Sequence, residues 1–313
     1  MILCCGEALI DMIPVTLPGG ATGYEPLVGG AVFNTAVALG RLETPTGLLS
    51  GVSRDAFGVM LADHLSANGV DTSLLVRSDR LTTIAIVHMV SGNATYAFYD
   101  ENSAGSGMAV SDLPALPDNV SALYFGGISL VQEPGAEAYA ALLAREGRDR
   151  LVMIDPNIRP GFIRDEQRYR ERLDRMIAIS DIVKVSDEDL HWIEPGEAPL
   201  DAKVRALQAR GPSLVIVTRG GDGATGHVRS RSLSVPAPAV EVVDTVGAGD
   251  TFNAGFLTGL SDAGYLEKTR IGGIDDDSLR HALDLAARVA AITVSRKGAA
   301  PPTAAEVGRG TRQ

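Results

Sequence analysis

Short apolar segments alternate with amphipathic segments over most of the chain. Runs typical of buried strands occur at residues 2–5, 47–52, 123–125, 151–154, 182–185 and 214–217. Apolar residues recur at helical spacing after residues 30, 133 and 199, over 55–65, from about 165, and over about 278–294. This alternation predicts an α/β fold with a central, mostly parallel sheet and helices on both of its faces.

Two early segments depart from this alternation. Residues 13–28 alternate about Gly19-Gly20, and residues 82–99 alternate about Ser91-Gly92-Asn93, as β-hairpins do. Since hairpins do not fit a doubly wound sheet, we predict one small β-sheet lid. It would consist of segments at about 12–28 and 80–103, inserted into a single domain of residues 1–313.

Three further strands are predicted towards the C-terminus. They cover residues 225–228, 232–235 and 240–243, and the last leads into a glycine-rich turn. The residues after Pro301 are small and polar, so we expect them to fray.

The composition describes an acidic globular protein. The 313 residues carry a formal net charge of −11 and are 45% hydrophobic, enough for a large core. An acidic surface repels nucleic acid, and the sequence contains neither a basic run nor an apolar run of membrane-spanning length. Cys4 and Cys5 are adjacent and are expected to be buried, reduced thiols. With no signal-peptide pattern at the N-terminus, we expect a cytoplasmic protein that binds neither nucleic acid nor membrane.

The strongest chemical signal is the turn Asp244-Thr245-Val246-Gly247-Ala248-Gly249-Asp250, which precedes a segment with helical spacing. Its glycines let the backbone approach a ligand, and the first N–H groups of a helix have no intrahelical partner. Together with the helix dipole, these groups favour an anion. Asp250 either caps the helix or acts as a base beside the anion, and the second alternative predicts phosphoryl transfer to an alcohol.

Two common nucleotide-binding motifs do not match this turn. A dinucleotide-binding fingerprint belongs at the first strand-to-helix turn, whereas this turn comes late and ends in an acid. A P-loop requires Gly-Lys-Thr or Gly-Lys-Ser, and neither follows the glycines here. The turn therefore disfavours a nicotinamide-dependent dehydrogenase.

Further polar candidates lie near the N-terminus and in two later loops. Asp11, Gly29-Gly30 and Asn34 suit the vicinal hydroxyls of a polyhydroxylated ligand, or else they are ordinary turn and cap residues. Arg159 is the only cation of its loop, and its fork of donors suits a phosphate or a carboxylate. The segment 218–223 either forms a plain hairpin or binds a flat ring or a phosphate. The five histidines are scattered, so the sequence indicates no metal cluster.

Taken together, these motifs resemble those of the ribokinase-like (PfkB) family of carbohydrate kinases, most closely its fructokinase branch. The resemblance covers nearly the whole chain and rests on Gly29-Gly30 with Asn34 and on the 244–250 motif continued by Thr251-Phe252. Three further segments are also similar to the family's: Glu7 to Asp11, Asp155 to Pro160 and Arg296 to Ala299. The resemblance implies a ribokinase-like α/β fold with a β-sheet lid.

The resemblance also implies a role for each group. Asp250 would deprotonate the sugar hydroxyl, and Gly247, Ala248 and Gly249 would form the anion hole for the transferred phosphoryl group. The substrate would be held by Asp11, Gly29, Gly30, Asn34 and Arg159, and the nucleotide by Lys184, Ser186, Thr218, Gly220, Gly223 and Ala287. ATP and Mg²⁺ would be the cofactors, a monovalent cation such as K⁺ would lie beside Asp244, and the lid would serve as a homodimer interface.

Two segments depart from the family pattern. A segment that often begins with Asn and ends with Glu, serving the magnesium and phosphate region, begins with Ser186 and ends with Asp189 here. We therefore expect magnesium binding to rely more on water. The segment Tyr99-Asp100-Glu101-Asn102 lacks the arginine that many fructokinases carry after the aromatic pair of the lid, which leaves the identity of the sugar open but not the chemistry.

The sequence thus predicts an ATP-dependent kinase that acts on a primary hydroxyl of a small sugar, with fructose as the first choice. The alternatives within this class are 2-keto-3-deoxygluconate, ribose and nucleoside kinases. The acid sugar is the most serious of them, because Arg159 could meet its carboxylate. From a different class, the chain could be a non-catalytic regulator that binds a sugar or a nucleotide. An intact Asp250 beside an intact anion hole argues against this, since a regulator needs no general base.

Overall fold

Strands and helices alternate along the chain in the computed structural model, which describes residues 1–90 and 93–309. The strands of these residues are β1 (Ile2–Cys5), β2 (Leu9–Thr16), β3 (Thr22–Gly29), β4 (Thr46–Leu49), β5 (Gly51–Ser53), β6 (Val76–Ser78), β7 (Ile84–Val90), β8 (Asn93–Tyr99), β9 (Ala122–Gly126), β10 (Leu151–Asp155), β11 (Ile182–Ser186), β12 (Leu214–Thr218), β13 (Ala224–Val228) and β14 (Arg231–Val235). The helices are α1 (Ala31–Arg41), α2 (Ala56–Ala67), α3 (Gly135–Glu146), α4 (Glu166–Ile177), α5 (Asp187–Ile193), α6 (Leu200–Gln208), α7 (Ala248–Asp262), α8 (Lys268–Ile271) and α9 (Asp276–Val294).

Eight strands form a central sheet in the order β14-β13-β12-β11-β10-β9-β1-β4. Every neighbouring pair from β12 to β4 is parallel, and the β12-β13-β14 edge is antiparallel. The predicted mostly parallel sheet is therefore confirmed. Because parallel strands end at the same edge of a sheet, the loops after β1, β9, β10, β11 and β12 come together there.

Helices cover both faces of the central sheet, as predicted. In β10, Val152 and Ile154 pack with helices α3 to α6, whereas Leu151 and Met153 pack with α1, α7 and α9. All four side chains are fully buried, and such a side chain contributes about 1.5–3 kcal/mol. The two cysteines of β1 follow the same alternation and are buried and unbridged. None of the helices described here is long and apolar enough to cross a membrane.

Helices α7 and α9 pack closely, which fixes the start of α7 at the carboxyl edge of the sheet. A Cβ atom placed on Gly255 would lie 2.7 Å from Ala286 Cα, and one on Gly259 would lie 2.5 Å from Ala282 Cα. The small residues at both contacts therefore let the two helices approach without intervening side chains.

Four strands form a second sheet, in the order β3-β2-β7-β8, which is the predicted lid. Parallel pairing of β2 with β7 joins the two predicted hairpins into this one sheet. The register pairs Asp11 with Ala85 and Ala85 with Phe98, so the three side chains share one face. Phe98 contacts Phe162 in the loop after β10, with 4.7 Å between ring centroids, so this face is turned towards the central sheet. The turn predicted at Ser91-Gly92-Asn93 includes residues 91 and 92, which lie outside the described residues.

Residues 240–243 do not form a strand, so the prediction for them was wrong. Their valines are 41–60% exposed, and no ladder forms between β14 and α7. Pro236 and Pro238 remove N–H donors from the segment that would have to continue the sheet beyond β14. The segment is held instead by the N–H groups of Val243 and Asp244, which donate to a carbonyl at the end of α9 at 2.8 and 3.2 Å.

Two other predictions need correction. The strand predicted at 47–52 is two strands, β4 in the central sheet and β5 in a two-stranded sheet with β6. Since β4 is the edge of the central sheet, the chain can turn away after it. The tail after Pro301 was expected to fray, but it packs as far as Arg309. The Ala304 N–H donates to a carbonyl at the end of α1 at 2.9 Å, and Ala304 and Val307 bury their apolar side chains.

Candidate active site

The turn 244–250 leads into α7 at the carboxyl edge of the central sheet. Gly247 is the N-cap of α7 and has a φ of 77°, a left-handed conformation that favours glycine. No side chain caps this helix. The Ala248 N–H donates to the Thr245 carbonyl at 3.3 Å, so the N–H groups of Gly249 and Asp250 and the positive end of the dipole are what the turn offers a ligand. This geometry suits an anion.

Asp250 lies in the first turn of α7 and is buried. Its Oδ2 accepts a hydrogen bond from Asn34 Nδ2 at 2.9 Å, and its carbonyl accepts one from Thr35 Oγ1 at 3.1 Å. Gly247 occupies the cap position, so Asp250 is not the N-cap that the alternative interpretation of the sequence required. Its carboxylate is instead held beside the anion-binding turn by α1.

The surroundings of Asp250 bring its titration close to neutral pH. Burial raises the pKa of Asp250 to about 7, and the hydrogen bond from Asn34 lowers it. The charges of Asp155 and Glu7 raise the pKa further, while the charge of Lys184 lowers it. A buried carboxylate with a pKa near 7 is suited to general base catalysis.

The candidates near the N-terminus lie beside this carboxylate. Gly30 is the N-cap of α1 with a φ of 109°, and its carbonyl accepts the Asn34 N–H at 2.8 Å. Asp11, on β2, packs so closely on Gly29 that a Cβ atom there would clash with its carboxylate. Burial raises the pKa of Asp11 to about 6. The structure thus brings Asp11, both glycines, Asn34 and Asp250 to one site.

Glu7 belongs to this site but was missed among the sequence candidates. Its Oε1 accepts the Ala31 N–H at 2.8 Å, and its Oε2 accepts the Ser129 N–H at 3.1 Å. Burial raises the pKa of Glu7. The carboxylate thereby holds the start of α1, and with it Gly30 and Asn34, to the loop after β9. An acid directly after a buried first strand was the signal that could have found it.

A buried polar network lies behind the first turn of α7. Asp155 Oδ2, at the end of β10, accepts hydrogen bonds from Lys184 Nζ at 2.9 Å and from Asn253 Nδ2 at 2.7 Å. The same amide donates to the Tyr124 hydroxyl at 2.9 Å. Lys184 was a predicted site residue, whereas Asp155 and Asn253 were not. Asn253 follows Asp250 by three positions and so shares its face of α7.

Arg159 lies at the exposed rim of the site. Its Nη1 donates to the preceding carbonyl at 3.1 Å. Tyr96 lies on the lid strand β8. Burial raises the pKa of Tyr96, and so do the charges of Asp11 and Asp244, while the charge of Arg159 lowers it. The charges of all three groups thus act on the Tyr96 hydroxyl, so this lid residue lies near the site.

The predicted nucleotide residues lie towards β11, β12 and β13. Ser186 and Thr218 are register partners at the carboxyl ends of β11 and β12. A Cβ atom on Gly220 would stand in open space, whereas one on Gly223 would clash with a carbonyl of β14. Ala287 is buried on α9, the helix that covers β13. Ser186 and Thr218 thus end β11 and β12, and Gly220 and Gly223 lie in the loop that follows β12.

The segment from Ser186 to Asp189, which departs from the family pattern, is occupied by structural contacts. Ser186 Oγ accepts the Asp189 N–H at 2.9 Å and caps α5. Asp189 Oδ1 accepts the Ile158 N–H at 3.1 Å. Burial and the charge of Asp155 raise the pKa of Asp189. The acid thus ties α5 to the loop after β10.

Asp100, where the lid arginine is lacking, lies at the base of the lid. Its Oδ1 accepts hydrogen bonds from Thr83 Oγ1 at 2.7 Å and from Ser103 Oγ at 2.6 Å. Because these bonds join the start of β7 to the chain after β8, Asp100 fixes the base of the lid.

Asp244 holds the turn to the chain after α9. Its Oδ1 accepts the Val246 N–H at 3.0 Å, and its Oδ2 accepts the Gly298 N–H at 2.8 Å. Within residues 1–90 and 93–309, no group of three or more His, Cys, Asp or Glu side chains is arranged to hold a metal ion. A cation beside Asp244 would therefore depend largely on backbone carbonyls.

Comparison with known proteins agrees with this geometry. Residues 1–306 match the model of the pfkB family of carbohydrate kinases. The chain is 48% identical to a fructokinase from Rhizobium leguminosarum bv. trifolii over 284 residues, which are 91% of this chain and 87% of that protein. Its structure is similar to that of a fructokinase with bound ATP from Xylella fastidiosa, with a TM-score of 0.87 and 28% identity, covering 98% of this chain and 96% of that chain. It is also similar to a fructokinase double mutant from Vibrio cholerae O395 in a fructose, ADP and potassium ion bound form, with a TM-score of 0.85, 26% identity and the same coverage. This chain therefore belongs to the pfkB family of carbohydrate kinases.

Proposed function

We propose that this protein is an ATP-dependent fructokinase, which transfers a phosphoryl group from ATP to a hydroxyl of fructose. Membership of the family and 48% identity to a fructokinase support this activity. The observation that carries the chemistry is the buried Asp250 carboxylate in the first turn of α7, hydrogen-bonded to Asn34. A base beside an anion-binding turn is what phosphoryl transfer to an alcohol requires.

Each group of residues has its own role in this proposal. Asp250 accepts the proton of the attacking fructose hydroxyl, while the turn Gly247-Ala248-Gly249 stabilises the charge of the transferred group. Asp11, Gly29, Gly30 and Asn34 bind the other hydroxyls. The nucleotide binds at the carboxyl ends of β11 and β12, where Ser186, Thr218, Gly220 and Gly223 lie, with Ala287 on α9 near its base. ATP, when bound, supplies the phosphoryl group.

The proposed cofactors are ATP, Mg²⁺ and a monovalent cation. The Xylella fructokinase was found with ATP, and the Vibrio enzyme with fructose, ADP and potassium ion. In this chain, Mg²⁺ would neutralise the phosphates and be held mainly by them and by water, because Ser186 and Asp189 already hold α5. K⁺ would lie beside Asp244.

We also propose that residues 1–313 form one domain, with lid segments inserted at about 12–28 and 80–103. The pairing of β2 with β7 supports a lid built from both segments. The protein is proposed to be cytoplasmic, since two buried, unbridged cysteines suit a reducing compartment.

A non-catalytic regulator is the weaker alternative. Burying a carboxylate costs free energy unless hydrogen bonds or charges offset it. Asp250 is buried beside an anion-binding turn, where a carboxylate opposes the binding of an anion unless it has a proton to accept.

A coupled assay that follows ADP release tests the proposal. With ATP and Mg²⁺, we expect kcat/KM for fructose to exceed that for 2-keto-3-deoxygluconate, ribose and nucleosides by at least about tenfold. Asp11 and Asp250 repel an acid sugar, whereas fructose has no charge. Efficient use of 2-keto-3-deoxygluconate with negligible use of fructose would overturn the choice of sugar. Failure to release ADP with any of these acceptors would favour the regulator.

We predict a homodimer formed through the lid. The lid exposes large apolar side chains, among them Leu81 at 73%, Tyr99 at 62% and Leu27 at 43%, and such a surface needs cover. Sedimentation at micromolar concentration should give twice the mass of 32.7 kDa. Tyr99→Asp should shift the protein towards the monomer, whereas Val110→Asp, at an exposed valine outside the lid, should not. A wild-type protein that sediments as a monomer would count against this interface.

A further inference from the structure

Lys184 is a buried cation directly behind the anion-binding turn. Its side chain is 7% exposed, and that of its partner Asp155 is 3% exposed. A Cβ atom placed on Gly249 would lie 3.4 Å from Lys184 Nζ, so the ammonium group packs against the end of the turn Gly247-Ala248-Gly249. The turn therefore has a fixed positive charge behind it.

Stability alone does not account for this arrangement. An ammonium group near the N-terminus of a helix is unfavourable, because the helix dipole is positive there. A buried ion pair is weak evidence for stabilisation, since the loss of solvation offsets the attraction. The network also leaves Asn253 Oδ1 buried without a hydrogen-bond partner among the described residues, which is unfavourable.

The groups around Asp250 indicate how the Lys184 ammonium group affects the ionisation of this carboxylate. Glu7 follows β1, Tyr124 is on β9, Asp155 ends β10 and Lys184 is on β11. Burial raises the pKa of Tyr124 well above its usual value, so this hydroxyl stays neutral. The charges of Glu7 and Asp155 favour the protonated form of Asp250, and the charge of Lys184 opposes them.

We propose that Lys184 is a positioning residue for phosphoryl transfer: held by Asp155 and Asn253 behind Gly249, its ammonium group keeps Asp250 ionised and ready to accept the proton of the sugar hydroxyl. This inference rests on the proposed function. Asp155 limits the effect of the ammonium group, so that the base can both accept the proton and release it near neutral pH.

The test is the pH profile of kcat/KM for fructose, measured at saturating ATP and excess Mg²⁺ over about pH 5–9. The part of this profile that falls at low pH, its acid limb, reports the protonation of the base. In the wild type, activity should fall about tenfold per pH unit below about pH 7, because protonated Asp250 cannot act as a base. Lys184→Met removes the cation and should move this limb to higher pH. Asp155→Asn removes an anion and should move it down. The double variant loses both charges and should return it towards the wild-type position.

A second readout needs no substrate. In ligand-free protein, the carboxyl carbon signal of Asp250, identified by its absence from Asp250→Asn, should show the same shifts of its titration midpoint. Lys268→Met is the matched control: it breaks the Lys268–Asp181 ion pair of 2.8 Å, which lies just before β11, the strand that carries Lys184. It should move neither the limb nor the midpoint.

Failure of this inference differs from failure of the proposed function. If Lys184→Met folds and leaves both the acid limb and the midpoint unchanged, Lys184 has no such role. If Lys184→Met does not fold, the double variant decides instead: with Asp155 already replaced, loss of the cation must still move the titration of Asp250 to higher pH than in Asp155→Asn. A wild-type protein that does not phosphorylate fructose would instead contradict the proposed function.

Discussion

Asp250→Asn is expected to lower kcat by about 10²–10⁴-fold while the KM for fructose changes little. The amide has the size and shape of the carboxylate, and its oxygen can still accept the hydrogen bond from Asn34. It cannot accept the proton of the fructose hydroxyl, so the loss appears in turnover. Asp250→Ala should lose as much turnover and, in addition, the contact with α1. Steady-state kinetics with fructose at saturating ATP measure both variants.

Asp275→Ala is the matched control for the alanine variant. Asp275 is the N-cap of α9 and accepts the Ser278 N–H at 2.7 Å. Its loss should lower the free energy of unfolding and leave kcat unchanged. If Asp250→Ala behaves in the same way, with wild-type turnover and only reduced stability, the carboxylate is structural and the proposed mechanism is wrong.

The central sheet could be predicted from the sequence because its signals are local. A strand such as β10 is a short run of apolar residues bounded by polar ones, and the sequence places it at 151–154 where the structure has Leu151–Asp155. Residues 240–243 have a similar apolar content but no partner strand. Burial and pairing, which decide between a strand and an exposed loop, are not local properties.

The candidate site was predictable in part for the same reason. The turn before Asp250 and the start of α1 each carry a local motif, so the residues on both sides were found. The hydrogen bond between Asn34 and Asp250 spans 216 positions and follows only from the packing of α1 beside α7. Asp155 and Asn253 are 98 positions apart, and neither residue indicates by its type that the two share a buried network.

Asp11→Ala is expected to raise the KM for fructose by about 10–100-fold with little change in kcat. A hydrogen bond to a charged group is worth about 1.5–3 kcal/mol, and Asp11 lies in the lid where solvent cannot fully replace it. Its hydroxyl partner would not be the one that reacts, so the contact is lost equally in the ground state and the transition state. Asp11→Asn keeps an acceptor and should have a smaller effect. An unchanged KM for fructose in Asp11→Ala would remove this residue from the sugar site.

The same kinetics with Arg159→Ala decide between a neutral and an acid sugar. Asp11 and Asp250 are both anions when ionised, and the buried cation Lys184 is already paired with Asp155. A sugar acid would therefore need Arg159, whose side chain lies at the exposed rim. If fructose is the substrate, Arg159→Ala should raise the KM for ATP and leave the preference between fructose and 2-keto-3-deoxygluconate unchanged. If the variant instead raises the KM for 2-keto-3-deoxygluconate far more than that for fructose, Arg159 binds a carboxylate and the acid is the substrate.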